Sequence, residues 1–275
     1  MPKNSLPVAL TIAGSDSGGG AGIQADLKTF CAFGVFGTSA ITAITAQNTQ
    51  GVRAVHPIPL EVVRAQINAV AEDLPPAAFK TGMLATAELA GAVAEAIRDH
   101  QLPNYIMDPV MVATSGDRLF EPDAERALLT ELLPLATLVT PNLHEARILT
   151  GAGVDTLEEM RSAAHRLVEM GAGAALVKGG HLKENEAVDL FWDGYSERLW
   201  RRQRIDTTET HGTGCTLSAA AAAGLAQGLP LPEAVDQAID FVARAIRSAP
   251  QLGAGHGPVN HFAGTIFLPG LDLPF

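Results

Sequence analysis

The sequence predicts an α/β fold with a mostly parallel central sheet and helices on both faces, and three observations carry that prediction. Short apolar runs of strand length alternate with segments of helical period from Val8 to Ala249. Several of these runs end in glycine or in a polar residue that opens a helix, which puts chemistry at the carboxyl edge of an open sheet. No internal repeat, low-complexity tract or charge block marks a linker, so residues 1–275 are expected to form one domain without a large separate lid.

Taken in order, Val8–Ala13 reads as a buried strand ending in the loop Gly14-Ser15-Asp16-Ser17-Gly18-Gly19-Gly20-Ala21-Gly22. The following helix places Ile23, Leu27, Phe30 and Phe33 on one side. Asp26 borders that apolar stripe, so its carboxylate is partnered, used by a ligand, or favoured by the helix N-terminus. The loop matches neither the dinucleotide fingerprint nor the Gly-Lys-Ser/Thr ending of a Walker loop. Ser39–Ala46 reads as a strand and delivers Gln47 just past its end, as a ligand contact or a turn cap. Val52–Ile58 follows as a strand, and Leu60–Asp73 as a helix with Val62, Val63, Ile67 and Val70 inside.

Ala77–Leu84 is a short strand that breaks at Gly82, and a helix starts at Thr86 or the residue after it. Tyr105–Met111 brings Asp108 to a strand end, where Pro109 takes the chain out of the sheet. That carboxylate is placed for a metal or phosphate-linked water, or for a turn. Leu119–Leu133 has a helical pattern, and Thr137–Thr140 reads as a strand. Pro141-Asn142-Leu143-His144-Glu145 opens a helix on which Asn142 and Glu145 either share one magnesium-bound water or form a capping box. A helix over Met160–Met170 and a strand over Ala174–Lys178 deliver Lys178 to the turn Gly179-Gly180-His181, to meet a nucleotide phosphate or solvent. Asp193-Gly194 separates the two strands of a hairpin, Val188–Trp192 and Arg198–Ile205.

The stretch Thr210-His211-Gly212-Thr213-Gly214-Cys215-Thr216-Leu217-Ser218 is a tight turn feeding an alanine-rich helix. The first turn of such a helix offers free amide N–H groups and the positive end of the dipole, a setting suited to phosphate. Cys215 at its mouth is expected to face a substrate hydroxyl as a thiolate favoured by that field; the competing reading is a buried structural cysteine. A helix introduced by Pro230 and Pro232 runs to Ala249, and the loop Gly253–Pro258 is expected near the nucleotide.

The net charge of −11 argues against nucleic acid or an anionic membrane as partner, and no run is long enough to span a bilayer. The two cysteines form no disulfide framework, and the N-terminal residues lack a signal-peptide pattern, so a cytoplasmic enzyme is expected.

The chain carries Ala13-Gly14-Ser15-Asp16, Gly18 to Leu27, Thr45-Ala46-Gln47-Asn48-Thr49, Lys80-Thr81-Gly82-Met83, Asp108-Pro109-Val110-Met111, Asn142-Leu143-His144-Glu145, Val177-Lys178-Gly179-Gly180-His181 and His211-Gly212-Thr213-Gly214-Cys215, in that order. The set resembles the hydroxymethylpyrimidine and phosphomethylpyrimidine kinases of thiamin biosynthesis, in the ribokinase-like superfamily, from Val8 to about Phe262. The resemblance implies ATP- and Mg-dependent phosphorylation of 4-amino-5-hydroxymethyl-2-methylpyrimidine and then of its monophosphate. It implies a pyrimidine pocket of Gly14, Asp26, Gln47, Met83 and Val110, with Asp26 and Gln47 on the polar edges of the ring. Asp108 and Glu145 hold magnesium through water in this scheme, while Lys178 and Asn142 belong to the ATP side. Gly212, Thr213 and Gly214 form the anion hole and Cys215 is catalytic, where most ribokinase-like sugar kinases carry aspartate. The resemblance also suggests a homodimer. A pyridoxal/pyridoxine kinase on the same scaffold and a non-catalytic nucleotide-binding protein are the alternatives.

Overall fold

The computed structural model describes residues 6–111, 122–180 and 186–263. The chain runs β1 (Val8–Asp16), α1 (Gly22–Ala32), β2 (Phe36–Asn48), β3 (Gly51–Pro57), α2 (Leu60–Asp73), β4 (Ala78–Thr81), α3 (Ala87–Asp99), β5 (Tyr105–Met107), α4 (Pro122–Ala127), β6 (Leu138–Val139), α5 (Leu143–Thr150), α6 (Leu157–Glu169), β7 (Ala175–Gly179), β8 (Glu186–Trp192), β9 (Glu197–Gln203), α7 (Thr213–Ala226) and α8 (Leu231–Arg247). All nine strands join one sheet in the order β3-β2-β1-β4-β5-β6-β7-β8-β9. The interior from β2 to β7 is parallel. Both margins are antiparallel: the β2–β3 ribbon on one side and β7–β8–β9 on the other.

Alternation along β1 shows how the layers are built. Leu10 and Ile12 face the core beneath α2, α3, α5 and α6, while Ala9 faces the core beneath α1, α7 and α8. Helix α7 is buried on every side from Thr216 to Ala226, which its run of small side chains permits: it packs against α1, α8 and strands β1, β4 and β5 at once. Burying it there brings its N-terminus to the carboxyl ends of the central strands. No separate lid domain is present among the described residues.

Two local expectations need correction. Val62 points outward at 45 % exposure, because the inner stripe of α2 is narrow and centres on Val63 and Ile67. The helical pattern before Leu133 covers a short α4, followed by a π turn over Leu128–Leu132 and a 3-10 turn over Leu133–Leu135. Its first residues, 119–121, lie outside the described segments, as does His181.

Candidate active site

The strand ends and the mouth of α7 enclose a cavity of about 190 Å³. Gly14, Gln47, Met83 and Val110 line it, as do Asp108, Asn142, Glu145, Lys178 and the whole Gly212–Cys215 turn. Asp26 does not. It is fully buried behind the wall, where its carboxylate accepts from Thr11 Oγ1 at 2.6 Å and from Lys80 Nζ at 3.2 Å. The side chain that reaches the cavity from this pair is Lys80, which sequence reasoning quoted only as part of a motif. A lysine within the four buried residues of β4 was the available signal, since such a cation requires a buried anion.

From Asp26 the charges alternate across the floor of the site. Lys80 lies 3.8 Å from Asp108, and Asp108 lies 3.4 Å from Lys178. Asp108 also accepts from Ser218 Oγ at 3.1 Å and Thr140 Oγ1 at 3.4 Å. Burial works against its ionisation, but Lys178 and Lys80 outweigh burial and hold its carboxyl below the usual range. Burial likewise opposes the charge of Lys178, yet Asp108 and Glu145 raise its ammonium above the ordinary lysine range. Lys178 is thus a largely buried ion-pair member, not a solvated residue before a turn.

Glu145 and Asn142 form the capping box of α5: Asn142 Oδ1 accepts from the Glu145 amide at 2.9 Å, and Glu145 Oε2 from the Asn142 amide at 2.8 Å. Capping does not remove them from the site, since both border the cavity. Burial raises the Glu145 carboxyl to about 7 against the pull of Lys178, with Asp108 adding to the rise.

Gly212 caps the N-terminus of α7, and its φ of 77° is left-handed. A side chain there would run into the Gly20 carbonyl, so this turn packs backbone to backbone on the first glycine loop. Cys215 follows in the first turn and faces the cavity, with the Gly22 amide directed at its sulfur. The thiolate expectation is corrected. Burial pushes the Cys215 thiol up to about 12; Lys80 pulls the other way, while Asp26 and Asp108 reinforce the rise. The helix N-terminus does not overcome desolvation next to two carboxylates.

Sequence reasoning also missed a contact between the two glycine-rich segments. Asp16 accepts amide hydrogens from Gly18, Gly20 and Ala21, and meets His211 Nε2 at 2.9 Å. Burial acts to raise its carboxyl, but the bonds from His211, Ala21 and Gly18 prevail and hold it low. The loop after Gly253 comes to the same place: Pro258 bridges His211, and His256 donates to the Thr49 carbonyl at 2.8 Å.

Amide donors at a helix mouth, two buried lysines, two carboxylates and a pocket beside them, all on one sheet edge, define a kinase for small molecules with the ribokinase-like fold. The sequence profile of the family described as phosphomethylpyrimidine kinase matches residues 16–260. The chain belongs to that family. It is 56 % identical over 258 residues to the hydroxymethylpyrimidine/phosphomethylpyrimidine kinase of Rhizobium meliloti, covering 93 % of this chain and 97 % of that one. The ADP complex of Bacillus subtilis pyridoxal kinase superposes with a TM-score of 0.88 at 41 % identity, over 94 % of this chain and 98 % of the other. The phosphomethylpyrimidine kinase of Clostridium difficile gives a TM-score of 0.79 at 41 % identity, over 87 % of this chain and 99 % of the other.

Proposed function

We propose that this chain transfers the γ-phosphoryl group of ATP to the hydroxymethyl oxygen of 4-amino-5-hydroxymethyl-2-methylpyrimidine, and then to the resulting monophosphate to give the diphosphate. The observation that carries this reading is that the Gly212–Cys215 turn at the mouth of α7 lines the same cavity as Gly14, Gln47, Met83 and Val110. In it, Met83 and Val110 hold the ring and the Gln47 amide meets its polar edge. Asp26 acts from behind, keeping Lys80 charged beside the reacting centre. The amides of Gly212 and Gly214 hold the phosphoryl oxygens, whereas the Thr213 amide, expected beside them, already donates to the Thr210 carbonyl at 3.2 Å; Lys178 and Asn142 border the nucleotide phosphates.

Among the described residues no three His, Cys, Asp or Glu side chains cluster as a metal cage. Two cavity carboxylates, Asp108 and Glu145, nevertheless suit a hydrated Mg²⁺ that arrives with nucleotide phosphates. When bound, such an ion neutralises the β- and γ-phosphate oxygens. Cys215 faces the attacking hydroxyl. Burial keeps it protonated in the unliganded chain, so it acts as a base only as the thiolate, formed when its own proton is released to solvent as substrate binds; that thiolate, held beside Lys80, takes the hydroxyl proton as the oxygen bonds to phosphorus.

Purified protein given ATP and either the pyrimidine alcohol or pyridoxal, with products resolved by mass, tests the reading. Formation of the pyrimidine diphosphate supports it, and phosphorylation of pyridoxal alone overturns it. The second reading, a pyridoxal kinase, is favoured by the fit to the Bacillus subtilis enzyme and is decided by the same assay.

The same proposal includes one domain over the whole chain, a cytoplasmic location and a homodimer. No helix of the described residues is long and apolar enough to cross a membrane. The edge ribbon β2–β3 exposes Ile44 at 49 % and Val55 at 46 %, apolar surface for a second copy, which light scattering checks.

A further inference from the structure

We propose that Asp16 and His211 are a positioning pair that fixes the side-chain amide of Gln47 with its carbonyl toward His211 and its NH₂ group toward Thr45, and so sets the donor–acceptor pattern offered to the acceptor ring. This rests on the pyrimidine reading above and deepens it.

The Asp16 carboxylate already takes three backbone N–H groups, and its Oδ2 lies 2.9 Å from His211 Nε2. An ionised carboxylate has no hydrogen to give, so Nε2 of His211 must carry one. The atom of Gln47 placed 3.4 Å from that nitrogen is its amide nitrogen, which sets two donors face to face. At the other end of the amide, Gln47 Oε1 lies 3.2 Å from Thr45 Oγ1, but the single Thr45 hydrogen is directed to the Ser15 carbonyl at 2.8 Å. Two acceptors then face each other as well. Rotating the amide by half a turn removes both conflicts, and its two ends are nearly equal in size. The carbonyl then accepts from His211, and the NH₂ group donates to Thr45.

The backbone leaves Gln47 little other freedom. Ser17 Oγ accepts from its amide at 2.7 Å and donates to its carbonyl at 2.7 Å. Asp16 and His211 are themselves locked by the interleaved turns, since a Cβ on Gly20 would come within 2.5 Å of His211 Cδ2. Gln47 borders the cavity. Its remaining N–H and carbonyl lone pair therefore present a donor beside an acceptor, the complement of a ring nitrogen next to an exocyclic amine.

The test compares acceptor rings with and without the exocyclic amine, in the wild-type chain and in His211→Leu and His211→Gln, where glutamine keeps a donor near the Nε2 position. The wild type is expected to favour the aminated ring by about tenfold in KM, the worth of one well-made hydrogen bond. His211→Leu should bring that preference close to unity while KM for ATP stays within about twofold, and His211→Gln should keep most of the preference. An unchanged preference in His211→Leu, or equal loss in both variants, overturns the proposal. If the wild type phosphorylates neither ring, the pyrimidine reading fails instead. The pair is then still judged by ¹⁵N-resolved NMR of His211 in the wild-type protein, where a hydrogen on Nε2 supports it and a bare Nε2 overturns it.

Discussion

Cys215 stands between opposing fields: the dipole of α7, the Gly22 amide and Lys80 favour its anion, while burial, Asp26 and Asp108 oppose it. The opposition wins, so the unliganded thiol is neutral at physiological pH and a poor nucleophile. Exposed Cys31 should therefore react with iodoacetamide at pH 7 well before Cys215, as peptide mapping by mass will show. Cys215→Ala should slow the first phosphorylation by roughly 10²–10⁴-fold. The second step should lose far less, because the attacking phosphate oxygen is already ionised. Equal losses, measured with alcohol and monophosphate separately, would refute a role in proton transfer. Lys80 lends itself to a stability test. Lys80→Met strands the fully buried Asp26 carboxylate and should cost about 3–5 kcal/mol in urea unfolding. The double variant Asp26→Leu/Lys80→Met should recover much of that while remaining catalytically impaired.

At the level of single elements, the first turn of α7 and the capping box of α5 both border the cavity. Gly212 and Gly214 differ in kind. A methyl group at Gly212 meets a rigid carbonyl from a left-handed backbone position, so Gly212→Ala should damage folding and activity together. At Gly214 the methyl would lie 3.2 Å from the end of the flexible Lys178 side chain, where it pairs with Asp108, and 3.9 Å from Asp108 itself. Gly214→Ala should thus leave the unfolding midpoint nearly unchanged and lower kcat by displacing Lys178, a split that kinetics and thermal unfolding on one preparation will resolve. Asn142 illustrates double duty, since the capping box and a place on the cavity wall are compatible for the same side chain.

Across the whole molecule, a chain of net charge −11 buries charges of alternating sign along the floor of the cavity: Asp26, Lys80, Asp108, Lys178, Glu145. Glu145, at the end of that series, leaves a pH signature. Its folded pKa of about 7 lies above its ordinary 4.5, so the folded state holds the proton that the unfolded chain releases between those values. Stability from this group is complete below pH 4.5 and is lost as pH rises through 7. In metal-free buffer, Glu145→Gln should remove a decline of up to about 3 kcal/mol over that interval, measured as the wild-type minus variant difference in unfolding free energy.

The sequence by itself determined the alternation of strands and helices, the turn into α7 and the set of strand-end residues, because periodicity and glycine placement are local properties of the chain. It also carried the family, through motifs whose order survives as order along one sheet edge. The tertiary structure alone decided which charges face one another. Asp26 borders an apolar stripe, which leaves it partnered, used by a ligand or favoured by the helix N-terminus, and the family resemblance places it in the pocket; its partner Lys80 stands 54 positions away and takes the wall in its place. The pairing of Asp16 with His211 spans 195 positions. Whether a thiol at a helix mouth ionises likewise depends on desolvation and on carboxylates brought in from other strands and helices. Those terms vary with distance in space and with the exclusion of water, and neither is written in the spacing of residues along the chain.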